Sequence, residues 1–158
     1  MCARLVKIDP NENAVQIKVK RFSPKAVIPS YAKPGDAGMD LTATKVEYLP
    51  GYVNVEFDIG FEIPPGFVGL MFPRSSVYKT GFSMSNCVGV IDSGYRGAVS
   101  AKFYYNSVEH AGIFAQDFKE GDRAAQIIFV PIPVAVLTET DELAESERGT
   151  GGFGSTGK

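Results

Sequence analysis

The chain has 158 residues, with 16 basic and 18 acidic side chains and a formal net charge of −2. That length suits one domain burying about two-thirds of its unfolded surface, and 44% hydrophobic with 22% charged residues excludes wholesale disorder. A near-neutral balance speaks against nucleic acid or an anionic membrane as partner, since phosphodiester binding needs a basic excess; a small-anion site would need only a few arginines.

Met1 to Pro10 contains no hydrophobic signal core. Val15, Ile17 and Val19 alternate with Gln16, Lys18 and Lys20, the pattern of a half-buried strand. A longer alternation places Val53, Val55, Phe57, Ile59, Phe61 and Ile63 on one face and Asn54, Glu56, Asp58 and Glu62 on the other. Pro64-Pro65-Gly66 forces a turn, because proline fixes φ and lacks a donor. Phe67–Phe72 then reads as a more fully buried strand.

Ser75–Thr80 is the one short helical candidate, capped by Ser75 or Ser76 and closed by Gly81. Val99, Ala101, Phe103 and Tyr105 alternate again, and Ala125–Val130 resumes an apolar strand after the turn at Gly121-Asp122. With 17 glycines and 10 prolines long helices are disfavoured, and short strands between turns indicate a sandwich, barrel or jelly roll. The apolar stretch Ala124–Leu137 is too short to span a bilayer and is interrupted by Gln126, Pro131 and Pro133. An intracellular, cytoplasmic protein without signal or transmembrane segment is expected. From Glu139 to Glu147 an acidic stretch leads into a glycine-rich tail. The body is therefore assigned to 1–137, and the acidic linker with its C-terminal arm to 138–158.

The single histidine, His110, gives no material for a His-rich zinc site, and no G-x-S-x-G elbow accompanies it. Cys2 and Cys87 match no metal or redox spacing; Cys87 reads as a small packing residue. Four segments can carry chemistry. In the tail, Arg148 offers a fork for phosphate, Phe153 a stacking face, and Ser155 and Thr156 hydroxyls, although such a tail is also what simple disorder looks like. Pro73-Arg74-Ser75-Ser76 is either an anion pocket at a helix start or an ordinary cap. In Gly89-Val90-Ile91-Asp92-Ser93-Gly94-Tyr95-Arg96-Gly97, a tight hairpin after Asn86, Asp92 is either a general base for a water or an aspartate bonding its own turn. Gly121-Asp122-Arg123 reads first as a turn entering a strand.

Taken in order, Pro34-Gly-Asp-Ala-Gly-Met-Asp40-Leu41, Arg74-Ser-Ser, the Gly89 segment, Gly121-Asp-Arg-Ala-Ala-Gln126 and the Arg148 tail resemble the five motifs of the trimeric dUTPase family. The resemblance implies hydrolysis of dUTP to dUMP and pyrophosphate by water attack on the α-phosphorus, which keeps uracil out of DNA and supplies dUMP for thymidylate synthesis. It implies an all-β, jelly-roll-like distorted barrel of the β-clip type, assembled as a homotrimer with shared active sites and exchanged C-terminal arms. Asp92 would be the base. Tyr95 would pack on the deoxyribose, and Asn86, Gly89, Val90, Ile91 and Ser100 would surround the nucleoside. Arg74, Ser75, Ser76 and Gln126 would bind phosphate, with Mg²⁺ carried mainly by the triphosphate and held by Asp40 through water. Phe153 would stack on uracil while Arg148, Gly154, Ser155 and Thr156 close over the phosphates. Arg123 would brace Asp92 or nearby backbone.

The chain departs from the family pattern at Gly94, where an acidic residue is common, at Ala98, where a polar one is frequent, and at Ser76, which replaces a common glycine. Two other readings compete: a dCTP deaminase-like enzyme of the same fold, which wants a carboxylate beside the base, and a non-catalytic dUTP-gated regulator.

Overall fold

The computed structural model describes residues 14–105 and 117–152. Ten strands form among them: β1 (Lys18–Arg21), β2 (Met39–Thr42), β3 (Lys45–Leu49), β4 (Tyr52–Glu56), β5 (Ile59–Glu62), β6 (Phe67–Pro73), β7 (Phe82–Met84), β8 (Gly89–Ile91), β9 (Ser100–Tyr105) and β10 (Arg123–Pro131). All their ladders are antiparallel. They make two four-stranded sheets, ordered β2-β10-β6-β8 and β3-β4-β9-β7, and a two-stranded ribbon, β1-β5. The architecture is all-β, as the period-two patterning predicts, and jelly-roll-like, as the family resemblance implies. No helix among the described residues is long and apolar enough to cross a membrane.

One core serves all three sheets. Leu41 and Ile127 enter it from the first sheet, Val53, Val55 and Phe103 from the second, and Ile59 from the ribbon, each essentially closed to solvent. Phe103 packs on Phe118 with ring centroids 4.8 Å apart, and Phe118 stacks on Phe82 at 5.3 Å.

The long alternation from Val53 to Ile63 is not one strand. Asp58 takes φ 49°, which ends β4 and redirects the chain into β5. Before the corner the chain pairs with β3 and β9; after it, with β1. The apolar period survives because Val53, Val55, Phe57, Ile59, Phe61 and Ile63 all enter the same core. Aspartate tolerates this left-handed backbone better than the β-branched residues beside it.

Other expectations need revision. Val15, Ile17 and Val19 are half-buried as read, but the ladder begins only at Lys18. Ser75–Lys79 is a 3₁₀ helix whose cap position is Arg74, and no side chain caps it; five residues give too little aligned backbone for a dipole-based anion site. Gly81, at φ 68°, does close that segment in the left-handed region. The Gly89 segment is not a hairpin: β8 pairs with β6 in one sheet, whereas β9 pairs with β4 and β7 in the other. Residues 92–99 therefore cross between sheets, pinned where Val99 N–H donates to the Ile59 carbonyl at 2.8 Å. Cys87 is exposed at φ 56° in the turn before β8, so it is not a packing residue. The Pro64-Pro65-Gly66 turn is present, with Phe67 N–H donating to the Pro64 carbonyl at 3.2 Å and Gly66 at φ 84°.

Phe103→Ala is expected to cost about 3–5 kcal/mol, because the ring leaves a cavity among Phe82 and Phe118 that rigid strands cannot close. Urea unfolding at fixed protein concentration should show a lower midpoint with an unchanged slope.

Candidate active site

A small cavity of about 230 Å³ lies where β6, β8 and the start of β9 converge. It brings together Asn86, Gly89, Val90, Ile91, Asp92, Tyr95 and Ser100, seven residues singled out from sequence. Met71, Ala98 and Val99 complete the wall and were not foreseen. Met71 faces Gly89 across the β6–β8 ladder, a pairing no single segment reveals. Val99, however, extends the alternation of Ala101 and Phe103 and was legible as an inward position. Gly89 keeps this wall close: a Cβ there would stand 3.0 Å from Met71 Cε and 3.6 Å from Asn86 Nδ2.

The loop after β8 is braced by its own backbone. Tyr95 N–H donates to the Asp92 carbonyl at 3.0 Å, and Tyr95 Oη donates to the Ala98 carbonyl at 3.0 Å. Arg96 Nη1 donates to the Ser93 and Tyr95 carbonyls at 2.6 and 2.9 Å. It is thus the main chain of Asp92 that closes the turn. Its exposed carboxylate has no hydrogen-bond or ion-pair partner among the described residues, which favours a chemical over a turn-making role for the side chain.

A second cluster forms on the other side of β6. Asp40 on β2 accepts from Arg74 Nε at 2.6 Å and from Arg123 Nη1 at 3.0 Å. Arg74 follows β6 directly, and Arg123 opens β10 beside a register shift that sets it apart from the row pairing Gln126 with Asp40. Such bulges commonly re-aim a side chain near a site. Arg123 therefore braces Asp40, not Asp92 as expected. Gln126 Nε2 donates to the Pro73 carbonyl at 3.0 Å, fixing its amide next to Arg74. Ser75 is exposed, and Ser76 joins Arg74 and Arg123 in lining an open cavity of about 680 Å³ that also holds Thr80, Lys119 and Asp122.

The floor of this larger cavity is tied to the sheets. Ala43 N–H donates to the Asp122 carbonyl at 2.8 Å, and Gly121 N–H returns a bond to the Ala43 carbonyl at 2.8 Å. Tyr48 Oη donates to the Phe118 carbonyl at 3.0 Å. Burial, with the negative charge of Asp117 adding to it, pushes the Tyr48 phenol up to about 12.

The donor set decides what kind of metal site is feasible. Among the described residues no three His, Cys, Asp or Glu side chains gather to hold an ion. Asp40 is already engaged by two guanidiniums, so the cluster carries more positive than negative charge and suits a polyanion. A carboxylate has about four acceptor positions, which leaves Asp40 able to accept from a water of a magnesium ion carried by phosphate oxygens. An outer contact of that kind fits; a protein cage does not.

The two cavities share no lining residue. Arg148 lines neither: it is exposed, and its Nε donates to the Gly151 carbonyl at 3.0 Å. Phe153, Gly154, Ser155 and Thr156 lie outside the described residues, as do Cys2 and His110.

Sheet order and the two polar cavities define an antiparallel all-β protein whose chemistry-bearing residues cluster at the loops around β6. The dUTPase family model matches residues 24–157. Deoxyuridine 5'-triphosphate nucleotidohydrolases are similar over nearly the whole chain: that of Thermobifida fusca is 36% identical over 95% of this chain and 83% of its own. That of Desulfitobacterium hafniense is 39% identical over 92% of this chain and 98% of its own. Among solved structures, a Staphylococcus bacteriophage 80alpha dUTPase with dUpNHpp superposes with a TM-score of 0.79 at 27% identity, covering 92% of this chain and 100% of that one. A mutant dUTPase of phage phi11 of S. aureus, described with a structural Mg(II) ion, gives 0.70 at 26% identity over 83% and 100%. The chain belongs to the dUTPase family.

Asp40→Asn should weaken both guanidinium contacts and lower stability by about 1–3 kcal/mol. Glu62→Gln, which breaks the exposed 2.8 Å pair with Lys18, should cost only about 0–1 kcal/mol. Parallel denaturation curves test the ranking.

Proposed function

We propose that the chain hydrolyses dUTP to dUMP and pyrophosphate, with Asp92 as the base that orients and deprotonates the attacking water. The observation carrying this reading is the exposed Asp92 carboxylate, without a partner among the described residues, lining the small cavity, in a chain of the dUTPase family. In the phage 80alpha neighbours, substitutions were made at an aspartate and a tyrosine three positions apart, the spacing of Asp92 and Tyr95. The family match and the relatives do not favour a dCTP deaminase or a non-catalytic regulator.

Asn86, Gly89, Val90, Ile91 and Ser100 would enclose the uracil nucleoside, and Tyr95 would pack on the sugar where a 2′-hydroxyl would collide. Buried polar groups left unpaired by the wrong base reject it strongly. The water oxygen bonds to the α-phosphorus as the bond to the bridging oxygen breaks; the water's proton passes to Asp92, and pyrophosphate leaves with the bonding electrons. Arg74, Ser75, Ser76 and Gln126 would hold the phosphates. Bound magnesium supplies charge neutralisation on the triphosphate and its leaving group. Asp40 would accept from one of that ion's waters.

Separation of the nucleoside and phosphate residues into two cavities supports sites completed by neighbouring copies, in the homotrimer that the family resemblance implies. In that assembly Arg148, Phe153, Gly154, Ser155 and Thr156 would close over a neighbour's substrate, making residues 138–158 an arm and 1–137 the body. Removal of dUTP from the nucleotide pool, with supply of dUMP, fits a cytoplasmic enzyme.

Product separation with dUTP and dCTP in parallel, with magnesium, should yield dUMP and pyrophosphate from dUTP and leave dCTP intact. Asp92→Asn should lower kcat by about 10²–10⁴-fold with dUTP binding retained; deaminated product from dCTP would overturn the reading.

Deleting residues 148–158 should leave melting behaviour close to that of the full chain while sharply lowering kcat/KM, because the closing segment excludes water only once substrate is bound. An unchanged kcat/KM would remove the lid assignment.

A further inference from the structure

Under the Asp92–Tyr95 loop lies a stack with no side chain at its centre. A Cβ on Gly97 would meet Tyr95 and nothing closer: ring carbon Cζ at 2.6 Å and Cε2 at 3.1 Å, with Oη nearer still. The half-exposed ring is the part that would give, leaving the bond that seats it. Its hydroxyl is bonded to the Ala98 carbonyl, its own N–H to the Asp92 carbonyl, and its carbonyl to Arg96.

The Gly97 backbone is also close to β5, where a Cβ on Gly60 would stand 2.9 Å from the Gly97 carbonyl oxygen and 2.7 Å from Phe22 Cε2. Gly97 thus has both the backbone of β5 and the Tyr95 ring as close neighbours. Gly97 is absent from the glycines at positive φ, so conformation does not call for glycine here. Room for the ring does. Gly94, three residues earlier in the same loop, also lacks a positive φ and has nothing within 4 Å of its Cβ position.

We infer that Gly97 is a specificity-determining position: by placing no Cβ beneath Tyr95, it sets the plane in which the ring meets the sugar and hence the preference for deoxyribose. This rests on the reading of Tyr95 as the residue that packs on the deoxyribose. Any side chain at 97 tilts the ring off its seat, opens space for a 2′-hydroxyl and misplaces the sugar of dUTP.

The test compares kcat/KM for dUTP and UTP in the unaltered protein, Gly97→Ala, Gly94→Ala, Tyr95→Ala and the Gly97→Ala/Tyr95→Ala double variant, each with a thermal melt. Gly97→Ala should lower the dUTP-to-UTP ratio about tenfold, the scale of a shape-based rejection, and Gly94→Ala should leave it unchanged. In the Tyr95→Ala background the three atoms nearest the added methyl are gone, so the double variant should match Tyr95→Ala alone, the non-additivity expected of a contacting pair. An unchanged ratio in a Gly97→Ala protein that melts normally, or losses that add in the double variant, overturns the inference. If Gly97→Ala does not fold, recovery of folding in the double variant supports it and failure to recover overturns it. No preference for dUTP over UTP in the unaltered protein, or none lost in Tyr95→Ala, instead removes the reading of Tyr95 on which it rests.

Discussion

The corner at Asp58 is the constraint on which the rest of the molecule depends. The run from Val53 to Ile63 must keep one face in the core while the chain leaves the sheet of β3 and β9 and joins the ribbon with β1. A straight strand would satisfy the apolar period but leave β1 unpaired and the side of the core beneath β5 open. One left-handed residue resolves this, and Val99 fastens the result, accepting from Phe57 N–H and donating to the Ile59 carbonyl across the corner. Val99 ends the crossing that carries Asp92 and Tyr95. The same turn that closes the core therefore sets where the acid-bearing loop can lie.

Charge arrangement follows a different logic. Asp40, Arg74 and Arg123 come from three places in the chain and meet only because β2, β10 and β6 are neighbours. One carboxylate holds two guanidiniums in place yet neutralises only one of them, so the cluster is ordered and still attracts anions. Partial burial of Asp40 and Arg74 makes this arrangement more durable than the exposed pairs at Lys18–Glu62 and Lys25–Glu120. An arginine prepared in this way loses less side-chain freedom when phosphate arrives.

What could be read from sequence followed from locality. The period-two run identified the strand around Ala101, which buries alternate residues, while continuous apolar runs identified the strands around Phe67 and Ile127, which are buried more evenly in the same core. The Pro64-Pro65-Gly66 turn was legible because proline and glycine dictate it internally. The Asp58 corner was hidden, since its apolar period runs through without a break and aspartate is unremarkable on a polar face. So was the crossing after β8, because glycines flanking Asp92 look the same whether the chain folds back on itself or changes sheet. Arg123 illustrates the same limit for the site: its role as a brace was legible, but its partner depended on strand order and a bulge that no local pattern encodes.

The two halves of the candidate site ask for different kinds of support, and the fold provides them separately. Under the proposed function the base and sugar would be recognised by shape, in the small space that Asn86, Val90, Ile91 and Tyr95 line, walled by the core residues Met71 and Val99. Binding of a triphosphate would depend on charge, which acts over longer distances and tolerates an open cavity such as the one where Arg74, Lys119 and Arg123 gather. Keeping the two apart within a chain allows each to be built on its own terms. Under the proposed function, a water, Asp92 and the α-phosphorus would be brought together by the way copies of the chain meet. The closeness of the Asp92 loop to β5 would then matter more than in a site enclosed by one chain, because errors in the loop and errors in the assembly would accumulate at the same phosphorus atom.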